Sequence, residues 1–313
     1  AIAAHALAPD RMLMVFSGYR LTESLAAGEI PRYGVGSVWL YGVWQWLAGL
    51  DHQWTLLANR VLGLLSLLVA WDLGRLVLAQ DTKARVASAW LLALAPVLWR
   101  AHTSESILVA PALLFLLGLH SLVRPSGPRA VGATLLLLAA ALARPELVVV
   151  VALVPLWWWA ARGERRLAPL DLGLACAAAA AVLLVRVDAV LASTAQLSET
   201  ASLPGLQEPW TALERVFRRG ALGHPDYTPI LLTELVVLGA LVIGRRRAAL
   251  ATLALLVAWL LATSVDLVAN SVPRLHALPV MLALPLAGCG VSWAWQRGRH
   301  TPRGRTMLAA TGL

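Results

Sequence analysis

Long apolar runs, separated by short polar and basic stretches, dominate the pattern along the chain. A helix that spans a membrane needs about 20 consecutive apolar residues, and nine runs approach or reach that length. The predicted spans are residues 56–78, 84–99, 107–123, 130–143, 147–161, 168–185, 228–243, 248–265 and 277–295. The pattern therefore predicts an all-α fold, a polytopic transmembrane helical bundle of about nine spans.

The stretches between the runs predict the domain organisation. Residues 1–55 form an outer loop region, in which the apolar segment 35–50 is too short to span comfortably and is predicted to lie as a helix in the interface. Residues 56–296 form the transmembrane helical domain, with the long outer loop 186–227 inserted into it. Residues 297–313 form a basic cytoplasmic tail.

The distribution of charge predicts the orientation of the bundle. Connections on one side hold fifteen of the 26 Lys and Arg residues but only four of the 17 Asp and Glu residues. Basic residues are enriched on the cytoplasmic side of membrane proteins. This side is therefore predicted to be cytoplasmic, with Asp72, Arg75, Asp81 and Lys83 in the first of its connections.

Composition supports a membrane protein and excludes an ordinary soluble domain. Apolar residues make up 59% of the chain and charged residues 14%, against about 45–50% and about 25% in soluble domains. The net charge of +9 would indicate a nucleic-acid partner in a soluble protein. Spanning helices interrupt the basic residues here, so we expect the lipid bilayer as a partner and no nucleic acid.

Tryptophans cluster just before two of the basic stretches. Trp157, Trp158 and Trp159 precede Arg162, and Trp293 and Trp295 precede Arg297. Such positions are typical of the aromatic belt at a membrane interface. The alternative is that these side chains fill the core.

Ionisable residues near the membrane are functional candidates because their burial is costly. The outer connections collect several of them. The stretches are His5 to Arg11, Pro31 to Ser37 with Tyr33, Arg100 to Glu105 with His102, Arg144-Pro145-Glu146, and Asp266 to His276 with Arg274. A carboxylate base beside arginines that hold phosphate in bidentate contacts suits a reaction on an anionic, membrane-embedded substrate. The middles of the spans are nearly all Leu, Ala and Val, which makes transport a weaker interpretation.

Each candidate also has a purely structural interpretation. Arg144-Pro145-Glu146 is equally consistent with a helix break whose charges face water. His102 and Glu105 have the spacing of a solvated helix face as well as that of a ligand pair. Arg274, flanked by apolar segments, is also suited to be a snorkelling anchor.

In the order of these motifs, the chain resembles the polytopic glycosyltransferases of the C fold class, which use dolichyl- or polyprenyl-phosphate sugars and include mannosyltransferases. The resemblance covers most of the chain. Its motifs are Pro9-Asp10-Arg11, Gly34 to Gly42 leading to Leu50-Asp51, Asn59-Arg60-Val61-Leu62-Gly63, Glu105, Arg144-Pro145-Glu146, and Arg274 followed by Leu275.

The resemblance implies a reaction and roles for the residues. A sugar would pass from a polyprenyl-phosphate donor to a lipid or glycan acceptor on the non-cytoplasmic face, by inverting displacement with Asp10 as general base. Arg274, Arg144 and Arg60 would hold the lipid phosphate. His102, Glu105, His276 and Tyr33 would border the substrate site, with room for a divalent metal ion near His102 and Glu105.

The resemblance also implies a setting for the enzyme. We expect an integral protein of a bacterial inner (plasma) membrane whose active site faces the non-cytoplasmic side. The family has a spanning helix before the loop that bears the Asp, whereas this sequence begins within that loop, so we expect an N-terminally truncated chain. The alternative function is a non-catalytic membrane protein, such as a flippase for lipid-linked saccharides or an assembly scaffold.

Overall fold

The computed structural model describes most of residues 52–162 and 232–299. The described ranges are 52–78, 81–103, 108–123, 127–144, 146–162, 232–244, 246–262 and 277–299, with six isolated helical positions between 173 and 184. Every regular element in these ranges is a helix, as the sequence predicts. The helices are α1 (His52–Val77), α2 (Thr82–Leu94), α3 (Pro96–His102), α4 (Val109–Val123), α5 (Gly127–Ala143), α6 (Glu146–Ala152), α7 (Val154–Arg162), α8 (Leu232–Val242), α9 (Arg246–Ala262) and α10 (Ala277–Arg299).

Two of the predicted spans are each divided into two helices beside a proline. The run 84–99 breaks at Ala95, which adopts an extended conformation (φ −68°, ψ 113°) before Pro96. The run 147–161 breaks at Leu153, two residues before Pro155. Ala95 directly precedes Pro96, and a proline disfavours helical geometry in the residue before it. Pro155 lacks the N–H that would continue the preceding helix.

The predicted count of nine spans is not confirmed. Within the described ranges, Leu56–Val77 of α1 and the whole of α10 are long and apolar enough to cross a membrane. The apolar stretches Val109–Val123, Val131–Ala143 and Leu232–Val242 are shorter. The predicted span 168–185, the interfacial segment 35–50, the loop 186–227 and the tail beyond Arg299 lie outside the continuous described ranges.

Helix α10 is the centre of the bundle. It contacts α1, α2, α8 and α9, and 83% of its apolar window is buried, against 33% for α1. On α1, Leu57, Val61, Leu65 and Leu68 are exposed at spacings of four, four and three residues. This spacing places them on one face of the helix, which we expect to contact lipid.

Helices α8 and α10 approach each other too closely for side chains at their crossing. A methyl group at Gly239 of α8 would lie 2.7 Å from the carbonyl carbon of Leu286 on α10. A methyl group at Gly290 would overlap the carbonyl oxygen of Leu235 in the same way. Small residues permit this close packing in membrane helices.

A charged cluster joins α1 to α4 and corrects one part of the sequence analysis. Asp72 and Arg75 lie within α1 and not in the connection after it. Arg75 forms an ion pair with Asp72, and His120 Nε2 of α4 lies 2.7 Å from Asp72 Oδ2. The Arg75 guanidinium also stacks on the Trp71 ring, 5.6 Å from its centroid. We call Asp72, Arg75 and His120 the Asp72 cluster.

The tryptophans divide between the two interpretations of the sequence. Trp157 and Trp158 are buried, and their indole N–H groups donate to Thr252 Oγ1 (3.1 Å) and to the carbonyl of Leu122 (2.7 Å). Trp159 is exposed beneath the Arg247 guanidinium. The first two rings fill the core, while the third has the exposure expected of an interfacial residue.

Candidate functional site

The described part of the chain contains three of the eight predicted site residues. These are Arg60, His102 and Arg144. The other five, Asp10, Tyr33, Glu105, Arg274 and His276, lie outside the described residues.

All three described candidates are polar side chains that the fold withdraws from solvent. Arg60 lies near the start of α1 and is half-buried. His102, the last residue of α3, is 2% exposed, and Arg144, which links α5 to α6, is 3% exposed. The burial argues against the interpretation of Arg144 and His102 as charges that simply face water.

Local sequence explains the position of Arg144. The residue before a proline disfavours helical geometry, so α5 ends at Ala143, just before Arg144-Pro145. The Arg144 backbone N–H still donates to the carbonyl of Ala140 (3.0 Å), and its own carbonyl accepts from the N–H of Leu147 (3.1 Å). Arg144 is thereby held between the ends of two helices.

His102 packs directly on the backbone of α1. A methyl group at Gly63 would lie 2.6 Å from Cβ and 2.7 Å from Cδ2 of His102, so no Cβ fits there beside the imidazole. Gly63 follows Arg60 by three residues and Asn59 by four, which puts all three on neighbouring positions of one helix face. His102 therefore meets the face of α1 that carries Arg60.

A small cavity opens beside His102, at what we call the His102 end of the bundle. Its volume is about 10 Å³, the space of about one water molecule. Five helices and the residue before α4 contribute its walls, which are apolar apart from His102. The lining residues are Ala101, His102, Leu108, Val109, Ala112, Leu147, Trp259, Ala277, Leu278 and Met281. This cavity is too small to hold a sugar.

The chemistry at the His102 end is cationic and donor-rich. His102 lines the cavity, and Arg144 precedes Leu147, another lining residue, by three positions. Arg60 precedes Gly63, on which His102 packs, by three positions, and the neighbouring Asn59 is fully buried. Such groups hold phosphate and carboxylate oxygens. Within the described ranges, no group of three His, Cys, Asp or Glu side chains is placed to hold a metal ion.

Sequence reasoning missed two of the residues that the fold brings to this end. Asn59 and Gly63 stand in the motif Asn59-Arg60-Val61-Leu62-Gly63, but neither was singled out as a site residue. A buried amide within an apolar run was the available signal for Asn59. The contact between Gly63 and His102 joins residues 39 positions apart, which no local pattern shows.

The opposite end, which we call the Asp81 end, has a larger and more open cavity of about 490 Å³ between α2, α8 and α10. Asp81, just before α2, accepts a 2.6 Å hydrogen bond from the Ser292 hydroxyl of α10. This bond lowers the pKa of the Asp81 carboxyl below its usual 3.8. Asp81 is therefore ionised at neutral pH, and its bond to Ser292 links the start of α2 to α10.

The described helices have the architecture of a polytopic membrane protein, and the expected C-fold-class resemblance is confirmed at the level of the fold. One similar solved structure is that of ArnT from Cupriavidus metallidurans bound to undecaprenyl phosphate, with a TM-score of 0.59 and 18% sequence identity. The alignment covers 98% of this chain and 60% of the ArnT chain, so this chain spans about three fifths of that protein. No family model and no curated protein matches the sequence.

Proposed function

We propose that this protein is an integral-membrane glycosyltransferase. It transfers a sugar from a polyprenyl-phosphate-linked donor to a lipid or glycan acceptor on the non-cytoplasmic face. Asp10 is the general base, and Arg274, Arg144 and Arg60 hold the lipid phosphate. Tyr33, His102, Glu105 and His276 border the sugar and its phosphate.

One observation carries the proposal: His102 and Arg144 are buried, and Arg60 is half-buried, in a fold similar to that of a protein bound to undecaprenyl phosphate. Cationic side chains in a membrane protein usually face a partner or a functional cavity, because their burial in hydrocarbon is costly. A lipid phosphate supplies the opposite charge at membrane depth. Its oxygens also match the fork of a guanidinium group.

Connectivity supports the roles of the remaining candidates. Glu105 lies between His102 and Leu108, which both line the cavity at the His102 end. Arg274 precedes Ala277, another lining residue, by three positions, which is at most about 11 Å of chain. Their place in the sequence keeps both within reach of the same cavity.

The proposed reaction is a single displacement. The acceptor hydroxyl gives its proton to the Asp10 carboxylate as its oxygen attacks the anomeric carbon. The bond from that carbon to the phosphate oxygen breaks with its electron pair, which leaves polyprenyl phosphate with one more negative charge. The arginines stabilise this developing charge in a site of low dielectric. The configuration at the anomeric carbon inverts.

Transfer from undecaprenyl phosphate mannose tests the proposal. In membranes that contain the full-length protein, we expect label to pass from this donor to endogenous acceptors. Asp10→Asn should lower the rate on the order of 10²–10⁴-fold, because general-base catalysis contributes about that much. Binding of undecaprenyl phosphate should be unchanged, since Asn keeps the size of the side chain.

The outcomes of this experiment separate the candidate functions. If Asp10→Asn transfers the sugar at the wild-type rate, Asp10 is not the general base. Lipid binding without transfer from any undecaprenyl phosphate sugar would favour the non-catalytic alternative, a flippase or scaffold.

A further inference from the structure

The contact between Gly63 and His102 leaves no room for a side chain at position 63. His102 ends α3, and its ring lies where the first carbon of any side chain at position 63 would stand. Gly132 of α5 offers the contrast, because a methyl group there would meet nothing within 4 Å. Glycine weakens a helix interior relative to alanine. Gly132 lacks a steric reason to remain glycine, whereas Gly63 has one.

The ring of His102 is placed between two features of the candidate site. On one side lies the face of α1 that carries Asn59 and Arg60, about one helical turn from Gly63. On the other side lies the cavity that His102 lines together with Ala277 and Met281. A side chain at position 63 would push the imidazole off α1 and change its place relative to both.

We propose that Gly63 is a positioning residue: its missing side chain seats the His102 imidazole against α1, next to Arg60, in the geometry that binds the lipid phosphate donor. The inference rests on the proposed function and extends it to a residue that touches no substrate. Gly63 acts through His102 alone, so its effect disappears when the imidazole is removed.

A double-mutant cycle tests this inference, with undecaprenyl phosphate as the probe and the full-length protein in nanodiscs. Gly63→Ala should weaken binding about tenfold or more, while the matched Gly132→Ala stays within about twofold of wild type. On a His102→Gly background, which removes both the ring and the His102 Cβ, Gly63→Ala should change the affinity less than about twofold. Melting temperatures of all variants report whether each protein is folded.

Several outcomes would overturn the inference. Equal losses for Gly63→Ala in both backgrounds would show that the glycine serves the packing of α1 and α3. A Gly63→Ala variant that binds undecaprenyl phosphate as well as Gly132→Ala does would show that binding does not depend on the contact between the His102 ring and Gly63. A His102→Gly variant that binds undecaprenyl phosphate with wild-type affinity would show that His102 does not contribute to the site.

Folding and binding controls keep the outcomes distinct. A Gly63→Ala protein that unfolds overturns the inference whether or not His102→Gly relieves the unfolding, because the glycine then serves packing and not binding. Wild-type protein that binds no undecaprenyl phosphate contradicts the proposed function itself, whatever the variants do.

Discussion

In the described part of the chain, individual buried polar residues are the strongest candidates for function. Arg144 is almost fully buried although arginine is rarely so in proteins. It sits at a helix break that its own sequence creates, beside the proline that ends α5. The residue was found by sequence because Arg-Pro-Glu interrupts an apolar run. Its burial was not predictable, since burial depends on which helices pack around the break.

Asp81 gives a prediction about pH at the scale of one residue. Its folded-state pKa lies below 3.8, chiefly because the Ser292 hydroxyl donates to the ionised carboxylate. The stabilisation is therefore complete above about pH 4 and is lost as pH falls through the folded-state pKa. The melting temperature of the detergent-solubilised protein should therefore fall on acidification below about pH 4, and this fall should be smaller in Asp81→Asn.

Glu234→Gln, at another exposed carboxylate, is the matched control for this experiment. The melting temperature of Glu234→Gln should depend on pH in the same way as that of the wild type. If Asp81→Asn and wild type lose the same stability on acidification, the bond from Ser292 does not couple Asp81 to folding.

At the scale of elements, two contacts hold the bundle around α10 and α1. The crossing of α8 and α10 depends on the absence of side chains at Gly239 and Gly290. The Asp72 cluster joins α1 to α4 through charge. The two contacts differ in kind, and substitutions should separate them.

Gly239→Ala should separate α8 from α10. The added methyl group would meet the backbone of Leu286, which cannot rotate away as a flexible side chain would. Overpacking of this kind costs typically about 1–3 kcal/mol. Unfolding in detergent should show this loss, whereas Gly132→Ala should leave stability unchanged or slightly higher. Equal stability of the two variants would show that the helices can move apart freely.

Asp72→Asn should weaken the connection between α1 and α4. The variant keeps the size of the side chain but removes the charge that pairs with Arg75 and accepts from His120. Loss of hydrogen bonds to a charged group costs about 1.5–3 kcal/mol. A double-mutant cycle with His120→Ala should show coupling between the two residues. Additive effects would contradict a direct bond.

At the scale of the whole molecule, the apolar pattern predicted the helical fold well. Eight of the nine predicted runs correspond to described helices or pairs of helices. The breaks at Ala95 and Leu153 did not follow from hydropathy, because an apolar run looks continuous whether or not a proline bends it. Asp72 lies within the predicted span 56–78, although its charge was counted with the connection that follows, and its partner His120 lies 48 residues away.

The candidate site was predictable as a set of residue types on one side of the bundle, but not as a geometry. Arg60, His102 and Arg144 were recognisable because each is polar beside apolar runs. The contact of His102 with Gly63 depends on how α3 packs on α1, which the sequence does not show. Hydrophobic patterns specify which face of a helix is buried and not which residue of another helix it meets.

We infer that the His102 end binds a polyprenyl phosphate through the phosphate group, and a comparison of binding affinities tests this inference. The affinity of the full-length protein in nanodiscs is measured for undecaprenyl phosphate and for undecaprenol, with wild type, Arg144→Gln and the exposed control Arg246→Gln. Loss of a hydrogen bond to a charged group, about 1.5–3 kcal/mol, corresponds to about 10- to 150-fold in affinity. We predict that Arg144→Gln lowers the affinity for undecaprenyl phosphate by this factor, whereas Arg246→Gln binds it like wild type. Undecaprenol should bind weakly to all three proteins. Equal affinity of wild type and Arg144→Gln for undecaprenyl phosphate, or wild-type binding of undecaprenol as tight as that of its phosphate, would contradict binding through the phosphate at this end.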